Sequence, residues 1–147
     1  MAQSEKTTYV NMQELMELAI RFEDESAEFY ALMRSRAAED SVRNLLKTLK
    51  EQEQEHARLL RESEMPKDRD IILQFAPELS LSMPMPGDNP DFDEMLSVAI
   101  ERERVSVQIY RRASERTLGA FKELLEGLAL FEEEHERKLK ALQREGS

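Results

Sequence analysis

The chain has 147 residues, a formal net charge of −10 and no cysteine. The negative charge argues against a nucleic acid or an anionic membrane surface as a partner, because either would repel the protein. Without cysteine, the sequence cannot form disulfides, iron–sulfur clusters or thiolate metal sites. It also shows no signal-peptide pattern and no apolar run long enough to span a membrane, so we expect one cytoplasmic domain, residues 1–147.

A first helix is predicted over residues 12–38. Asn11 and Glu14 have the spacing of a capping box, in which each side chain binds the other residue's backbone N–H. The apolar residues that follow recur every three or four positions and form one stripe, made of Leu15, Leu18, Phe22, Phe29 and Met33. This period is typical of a helix that buries one face.

A second helix is predicted over residues 41–63, with Asp40 or Ser41 as its N-cap. Its apolar stripe consists of Leu45, Leu46, Leu49 and Leu59. Pro66 ends the helix, because proline disfavours helical backbone in the residue before it. The turn between the first two helices is short, so they should form an antiparallel hairpin.

A long crossover is predicted over residues 65–90, which contain all five prolines and no long helical period. Within it, the short apolar run at residues 71–75 is expected to form one turn or a brief helix packed on the bundle. The crossover should join the first hairpin to a second one.

The second hairpin is predicted from helices at residues 91–115 and 118–144. Asp91 and Glu94 have the spacing of another capping box at the start of the third helix. The turn between these helices is again short, which predicts antiparallel packing. The fold class is therefore all-α, an antiparallel four-helix bundle with a long crossover between helices two and three.

The two halves of the chain repeat one polar pattern, which contains the only two histidines. Glu23 and Tyr30 in the first half correspond to Glu103 and Tyr110 in the second. A Glu-x-x-His motif follows in each half, Glu53 with His56 and Glu132 with His135. Residues three, four or seven apart lie on one helix face, so each Glu-x-x-His pair can address one centre.

These acids lie on helix faces that otherwise carry core residues. A buried, unpaired carboxylate costs several kcal/mol or more, roughly, so four of them require cations or protons. Two divalent cations would balance the four carboxylates, with both histidines neutral. Mixed carboxylate and imidazole ligands suit iron, while manganese or a mixed pair stays open.

Without metal, the four acids should repel one another. We therefore expect the pKa of each carboxyl to be raised in the folded state. The native state would then bind more protons than the unfolded state, and stability should fall as the pH rises through the acid range. Bound metal should reverse that trend.

This motif set resembles the ligand pattern of the rubrerythrin and erythrin group of ferritin-like di-iron proteins, over residues 12–143. The resemblance implies a ferritin-like bundle holding two iron ions. It implies Glu23 and Glu103 as terminal ligands, Glu53 and Glu132 as bridging ligands, and one histidine for each iron, His56 and His135. Tyr30 and Tyr110 would be hydrogen-bond donors to the ligands with a catalytic role; the alternative is that they are ordinary core tyrosines.

The chain departs from typical rubrerythrins in two ways. Rubrerythrins carry a rubredoxin-like iron domain bound by cysteines, and this sequence has no cysteine, so electrons should come from a separate donor. A typical rubrerythrin also has a second carboxylate three residues after the first on the third helix. Ser106 stands there instead, which bears on whether peroxide reduction proceeds as in that family.

The resemblance predicts a non-haem di-iron oxidoreductase that reduces peroxide or dioxygen with electrons from an external donor. The alternative is an iron-binding or ferroxidase protein for iron handling or storage. A third possibility is a structural bundle that has lost its metals. The eight methionines and the apolar residues outside the central stripes further suggest a homodimer.

Overall fold

The computed structural model describes residues 8–64, 70–75 and 86–145. This part of the chain forms four long helices and two short strands. The helices are α1 (Met12–Arg36), α2 (Asp40–Glu62), α3 (Phe92–Ser114) and α4 (Gly119–Glu145), and the strands are β1 (Thr8–Asn11) and β2 (Ile72–Phe75). Each helix end lies within two residues of its predicted position, and the all-α prediction is confirmed. None of the described helices is long and apolar enough to cross a membrane.

The helices pack as two hairpins, α1 along α2 and α3 along α4, and α1 also contacts α3. Two apolar clusters fill the interior. One contains the first half of α1, from Met12 to Phe22, and the other contains Phe29 to Met33 further along the same helix. A layer of buried polar side chains lies between these clusters, so the fold places polar groups in the middle of an apolar bundle.

The start of α1 has the predicted capping box. The Asn11 side chain accepts a hydrogen bond of 2.8 Å from the Glu14 N–H, and the Glu14 carboxylate accepts one of 2.9 Å from the Asn11 N–H. Two helix N–H groups that would otherwise lack partners are thereby satisfied.

Asn11→Ala is expected to lower the free energy of unfolding by about 1 kcal/mol, because it removes this N-cap. Urea unfolding of the variant would measure the loss. Asn44→Ala is the matched control, since Asn44 is exposed within α2 and alanine is the better helix former there. Equal stabilities for the two variants would contradict the capping role.

Of the other two predicted caps, that of α3 is partly present and that of α2 is absent. Asp91 accepts from the Glu94 N–H as expected, but the Glu94 carboxylate accepts instead from the Gly87 N–H in the preceding loop. The prediction that Asp40 or Ser41 caps α2 is wrong: the N-cap is Glu39, which makes no side-chain capping bond. Leu59, predicted on the apolar stripe of α2, is partly exposed.

The predicted turn or short helix at residues 71–75 is also wrong. β2 pairs there with β1 in an antiparallel ribbon, with Val10 opposite Leu73. The Leu73 side chain is buried in the same apolar cluster as the first half of α1. The N–H of Met12 donates to the carbonyl of Ile71 at 3.0 Å, which ties the start of α1 to this ribbon.

Candidate metal centre

The structure brings all six predicted ligand residues together in the polar layer. α1 contributes Glu23, α2 contributes Glu53 and His56, α3 contributes Glu103, and α4 contributes Glu132 and His135. All six are buried, with no more than 3% of any residue exposed. The helical spacing explains this convergence, because each Glu-x-x-His pair lies on one inward face of its helix.

The first half of the cluster is arranged around His56. Its Nδ1 atom lies 3.2 Å from Glu23 Oε2, 3.5 Å from Glu53 Oε1 and 3.0 Å from Glu132 Oε1. One ligand atom from each of these four residues lies within 4.8 Å of the ligand atoms of the other three. Such a set of one imidazole and three carboxylates could hold one divalent cation.

The second half is arranged in the same way around His135. Its Nδ1 atom lies 3.1 Å from Glu53 Oε1, 3.6 Å from Glu103 Oε2 and 3.3 Å from Glu132 Oε2. Ligand atoms of these four residues are again within 4.8 Å of one another.

The two halves share Glu53 and Glu132. The imidazole rings of His56 and His135 are nearly parallel, with their centroids 5.9 Å apart. Two carboxylates common to both halves are what a bridged pair of cations requires. The positions that the resemblance assigned as bridging are thus the ones that occur in both halves.

Several inward-facing atoms of the cluster lack a hydrogen-bond partner among the described residues. They are Glu53 Oε1, Glu103 Oε2, Glu132 Oε2 and His135 Nδ1. Buried polar atoms are rarely left unsatisfied, because each costs about 1–3 kcal/mol, and more when charged. Cations held between the two halves would satisfy these lone pairs, so the residues fit a pair of metal ions.

Tyr30 and Tyr110 each form a hydrogen bond with a carboxylate from the other repeat. The Tyr30 hydroxyl donates a short hydrogen bond to Glu103 Oε1, and the Tyr110 hydroxyl donates one of 2.9 Å to Glu23 Oε1. Burial and the nearby carboxylates raise the pKa of both hydroxyls well above the ordinary value. They therefore stay protonated and act as donors to the two acids.

The carboxyls of the metal-free cluster do not all shift in one direction. Burial and the charge of Glu53 raise the pKa of Glu23 to about 7. Burial and the charges of Glu103 and Glu23 raise the pKa of Glu132 well above its ordinary value. Burial also acts to raise the pKa of Glu53, but the imidazoles of His135 and His56 close to its carboxylate outweigh it and lower that pKa to about 2. The expectation of a raised pKa is wrong for Glu53.

Both histidines carry a second ring proton, and hence a positive charge, at neutral pH in the metal-free state. Burial lowers the pKa of each imidazole, but the surrounding acids outweigh this effect. Contacts with Glu23 and Glu53 raise the pKa of His56 to about 9. Contacts with Glu103 and Glu53 raise the pKa of His135 to about 10. The neutral histidines assumed in the charge balance thus describe only a metal-bound state, because a cation must displace these protons.

Two further residues at the site were missed in the sequence analysis. Gln52 Oε1 accepts a 2.7 Å hydrogen bond from Nε2 of His135. The guanidinium of Arg102 is almost fully buried, donates to Ser26 at 3.1 Å and lies 5.6 Å from the centre of the Phe29 ring. Neither residue is repeated at the corresponding position of the other half, so the repeat pattern did not single them out.

The four antiparallel helices, the crossover between the hairpins and the central acid–histidine layer define a ferritin-like bundle. A family model described as rubrerythrin matches residues 1–64, which include the whole first hairpin. The predicted resemblance to the rubrerythrin group of ferritin-like proteins is therefore confirmed over the first hairpin.

Solved structures support the same fold. A protein from Thermotoga maritima, described as a candidate ferritin-like diiron-carboxylate protein, superposes with a TM-score of 0.75 at 21% identity, covering 95% of this chain and 98% of that one. A hypothetical protein from Pyrococcus furiosus superposes with a TM-score of 0.69 at 21% identity, covering 90% of this chain and 88% of that one. Among curated proteins, none matches the sequence.

Proposed function

We propose that this protein binds two iron ions in the acid–histidine layer and acts as a non-haem di-iron oxidoreductase on peroxide or dioxygen. One observation carries the proposal: two buried ligand sets share Glu53 and Glu132 and leave inward-facing lone pairs unsatisfied. Manganese or a mixed pair would fit the same donor types, so iron is proposed on the strength of the rubrerythrin resemblance.

The residues of the chain would divide the work as follows. One ion would be held by Glu23 and His56, and the other by Glu103 and His135. Both ions would be held by Glu53 and Glu132. Tyr30 and Tyr110 would fix the orientation of the two terminal carboxylates through their hydrogen bonds.

The surroundings of the site also suit redox chemistry. The two apolar clusters on either side of the polar layer would keep bulk water from the reaction. When bound, the iron pair supplies two electrons and Lewis acidity. Reduction of one peroxide to two waters consumes those two electrons together with two protons.

The electrons are proposed to come from a separate donor protein, because the sequence has no cysteine for a rubredoxin-type iron site.

The expected homodimer also remains part of the proposal. Leu118 and Leu130, both on or beside α4, are largely exposed and could be covered by a second copy.

An anaerobic single-turnover experiment tests the proposal. Metal-free protein is loaded with two ferrous ions per chain and mixed with one equivalent of hydrogen peroxide. The absorption of a diferric centre should grow to an amplitude equivalent to both ions. Binding of only one iron per chain, or no change in absorption after peroxide, would contradict the proposal.

Iron handling is the second candidate, and Ser106 is the observation that favours it. This buried serine occupies the position at which typical rubrerythrins have an additional carboxylate. An iron capacity far above two ions per chain, together with a closed shell of many subunits, would favour storage. A dimer that saturates at two ions would favour redox turnover.

A further inference from the structure

The internal repeat loses its symmetry beside the two histidines. The Glu-x-x-His segments are offset by 79 residues, so Gln52 in α2 corresponds to Phe131 in α4. Each residue immediately precedes a shared glutamate, and each contacts the histidine of the opposite hairpin. One repeat therefore presents an amide where the other presents an aromatic ring.

Gln52 fixes the orientation of His135. The 2.7 Å hydrogen bond from His135 Nε2 to Gln52 Oε1 keeps a proton on Nε2, so that the Nδ1 lone pair faces the acids once a cation displaces the second ring proton. Such a bond also increases the basicity of a metal-ligating imidazole. His135 is thus prepared for metal binding, and none of its side chain is exposed.

Phe131 cannot accept a hydrogen bond from His56 in the way that Gln52 accepts one from His135. Its ring contacts the imidazole edge-on, with centroids 5.2 Å apart and an angle of 64° between the planes. An aromatic ring offers no lone pair, and within the described part of the chain no side chain accepts a hydrogen bond from Nε2 of His56. On its outer side the His56 ring therefore contacts an aromatic ring where His135 has a hydrogen-bond acceptor.

The His56 side of the cluster also opens to the surface. A groove of about 460 Å³ runs between α2 and α4, and both His56 and Gln52 line it. Its walls include Leu59, Leu124, Gly127 and Phe131, and about half of Phe131 is exposed. His56 therefore borders the groove directly, whereas His135 is not among its lining residues.

We propose that Gln52 and Phe131 are positioning residues that make the two metal positions inequivalent. The ion held by His135 binds first and tightly, and the ion held by His56 binds second and exchanges through the groove. This inference rests on the proposed function only in requiring that two ions bind. Loss of a hydrogen bond behind a ligating histidine typically weakens metal binding by about 10–100-fold, which sets the expected gap between the two affinities.

Titration of the metal-free full-length protein with cobalt(II) tests the inference. We expect two binding steps whose dissociation constants differ by about 10–100-fold. Phe131→Gln restores the symmetry of the repeat and should narrow that gap by tightening the second step. Phe131→Leu is the matched control, since it keeps an apolar side chain, and it should preserve the gap.

Proton NMR of the cobalt-loaded protein identifies which position fills first. The first equivalent should produce one shifted imidazole N–H that exchanges slowly with water, namely the His135 proton held by Gln52. Gln52→Leu should weaken the first step and speed that exchange. Because the NMR signal does not depend on activity, it separates positioning from a general loss of structure.

Two outcomes overturn the inference while the proposed function stands: two equal binding steps in the unaltered protein, or a gap that Phe131→Gln leaves unchanged. A first equivalent that occupies the His56 position would also overturn it. If no cobalt binds, the proposed function fails and this inference fails with it.

Discussion

Glu53→Gln is expected to abolish tight binding of both metal ions, whereas Glu23→Gln should weaken only one. Glu53 lies in both ligand sets, and Glu23 lies in the set around His56 alone. Loss of an outer hydrogen bond typically costs about 10–100-fold in metal affinity, so loss of a direct ligand should cost at least about 100-fold. Competition with a chromophoric chelator would measure both the number of ions and their dissociation constants.

Thermal unfolding gives a second measure of the same change. A ligand at about 100 times its dissociation constant stabilises a protein by about 2.7 kcal/mol, and Glu53→Gln should lose most of that stabilisation for both ions. Glu51→Gln is the control, because Glu51 is on the same helix but exposed. Glu132→Gln should reproduce the effect of Glu53→Gln. Two ions bound tightly by either variant would contradict the assignment of shared ligands.

The convergence of the six acid and histidine side chains could be predicted from the sequence, because the helical period fixes which residues lie on the same face. Residues three apart point the same way, so Glu132 and His135 had to address one centre once α4 was recognised. The duplication supplied the other half of the layer. Nothing beyond the helical period and the repeat was needed to bring these side chains together.

Features that depend on contacts between distant parts of the chain were less predictable. β1 and β2 are only four residues each, too short for a period to distinguish a strand from a helical turn. They pair across about sixty positions, as Val10 with Leu73 shows. The N-cap of α2 was assigned to the wrong residue for a related reason. Arg43 donates to the carbonyl of Ala37 at 2.7 Å near the start of this helix, and a search for side-chain N-caps does not detect such a bond.

The distribution of protons in the cluster also could not be predicted from the sequence. Charge counting treated the four acids as equivalent, but the distances to the imidazoles make Glu53 differ from Glu23. Two protonated histidines compensate part of the negative charge of the layer, and the raised pKa values of Glu23 and Glu132 favour protons on those two carboxyls. This arrangement makes the stability of the metal-free protein depend on pH.

The metal-free protein is expected to lose stability as the pH rises from about 4.5 to about 10. Glu23 has a pKa of about 7 in the folded state and 4.5 as its model value, so the folded state binds more protons between these values. His56 and His135 have folded pKa values of about 9 and 10 against a model value of 6.5, which extends the loss upward. Where the native state binds more protons, stability falls with rising pH, here by roughly 3 kcal/mol from Glu23 alone.

Glu53 acts in the opposite direction and in a lower range. Its pKa of about 2 in the folded state lies below the model value of 4.5, so its contribution is present above pH 4.5 and is lost as the pH falls toward 2. The metal-free protein should therefore be most stable near pH 4.5. Urea unfolding at pH 3, 4.5, 7 and 9 would locate that maximum.

Metal loading should reverse the trend between pH 4.5 and 7, because the ions displace the protons that the folded cluster holds and bind more tightly as those protons become easier to remove. Glu23→Gln is the internal control: it removes one of the raised carboxyl pKa values and should flatten the slope in this range while leaving the surface charges unchanged. The histidine contribution above pH 7 should remain in that variant. A metal-free protein that gained stability steadily from pH 4.5 to 9 would show that the acids and imidazoles do not share protons in a buried layer.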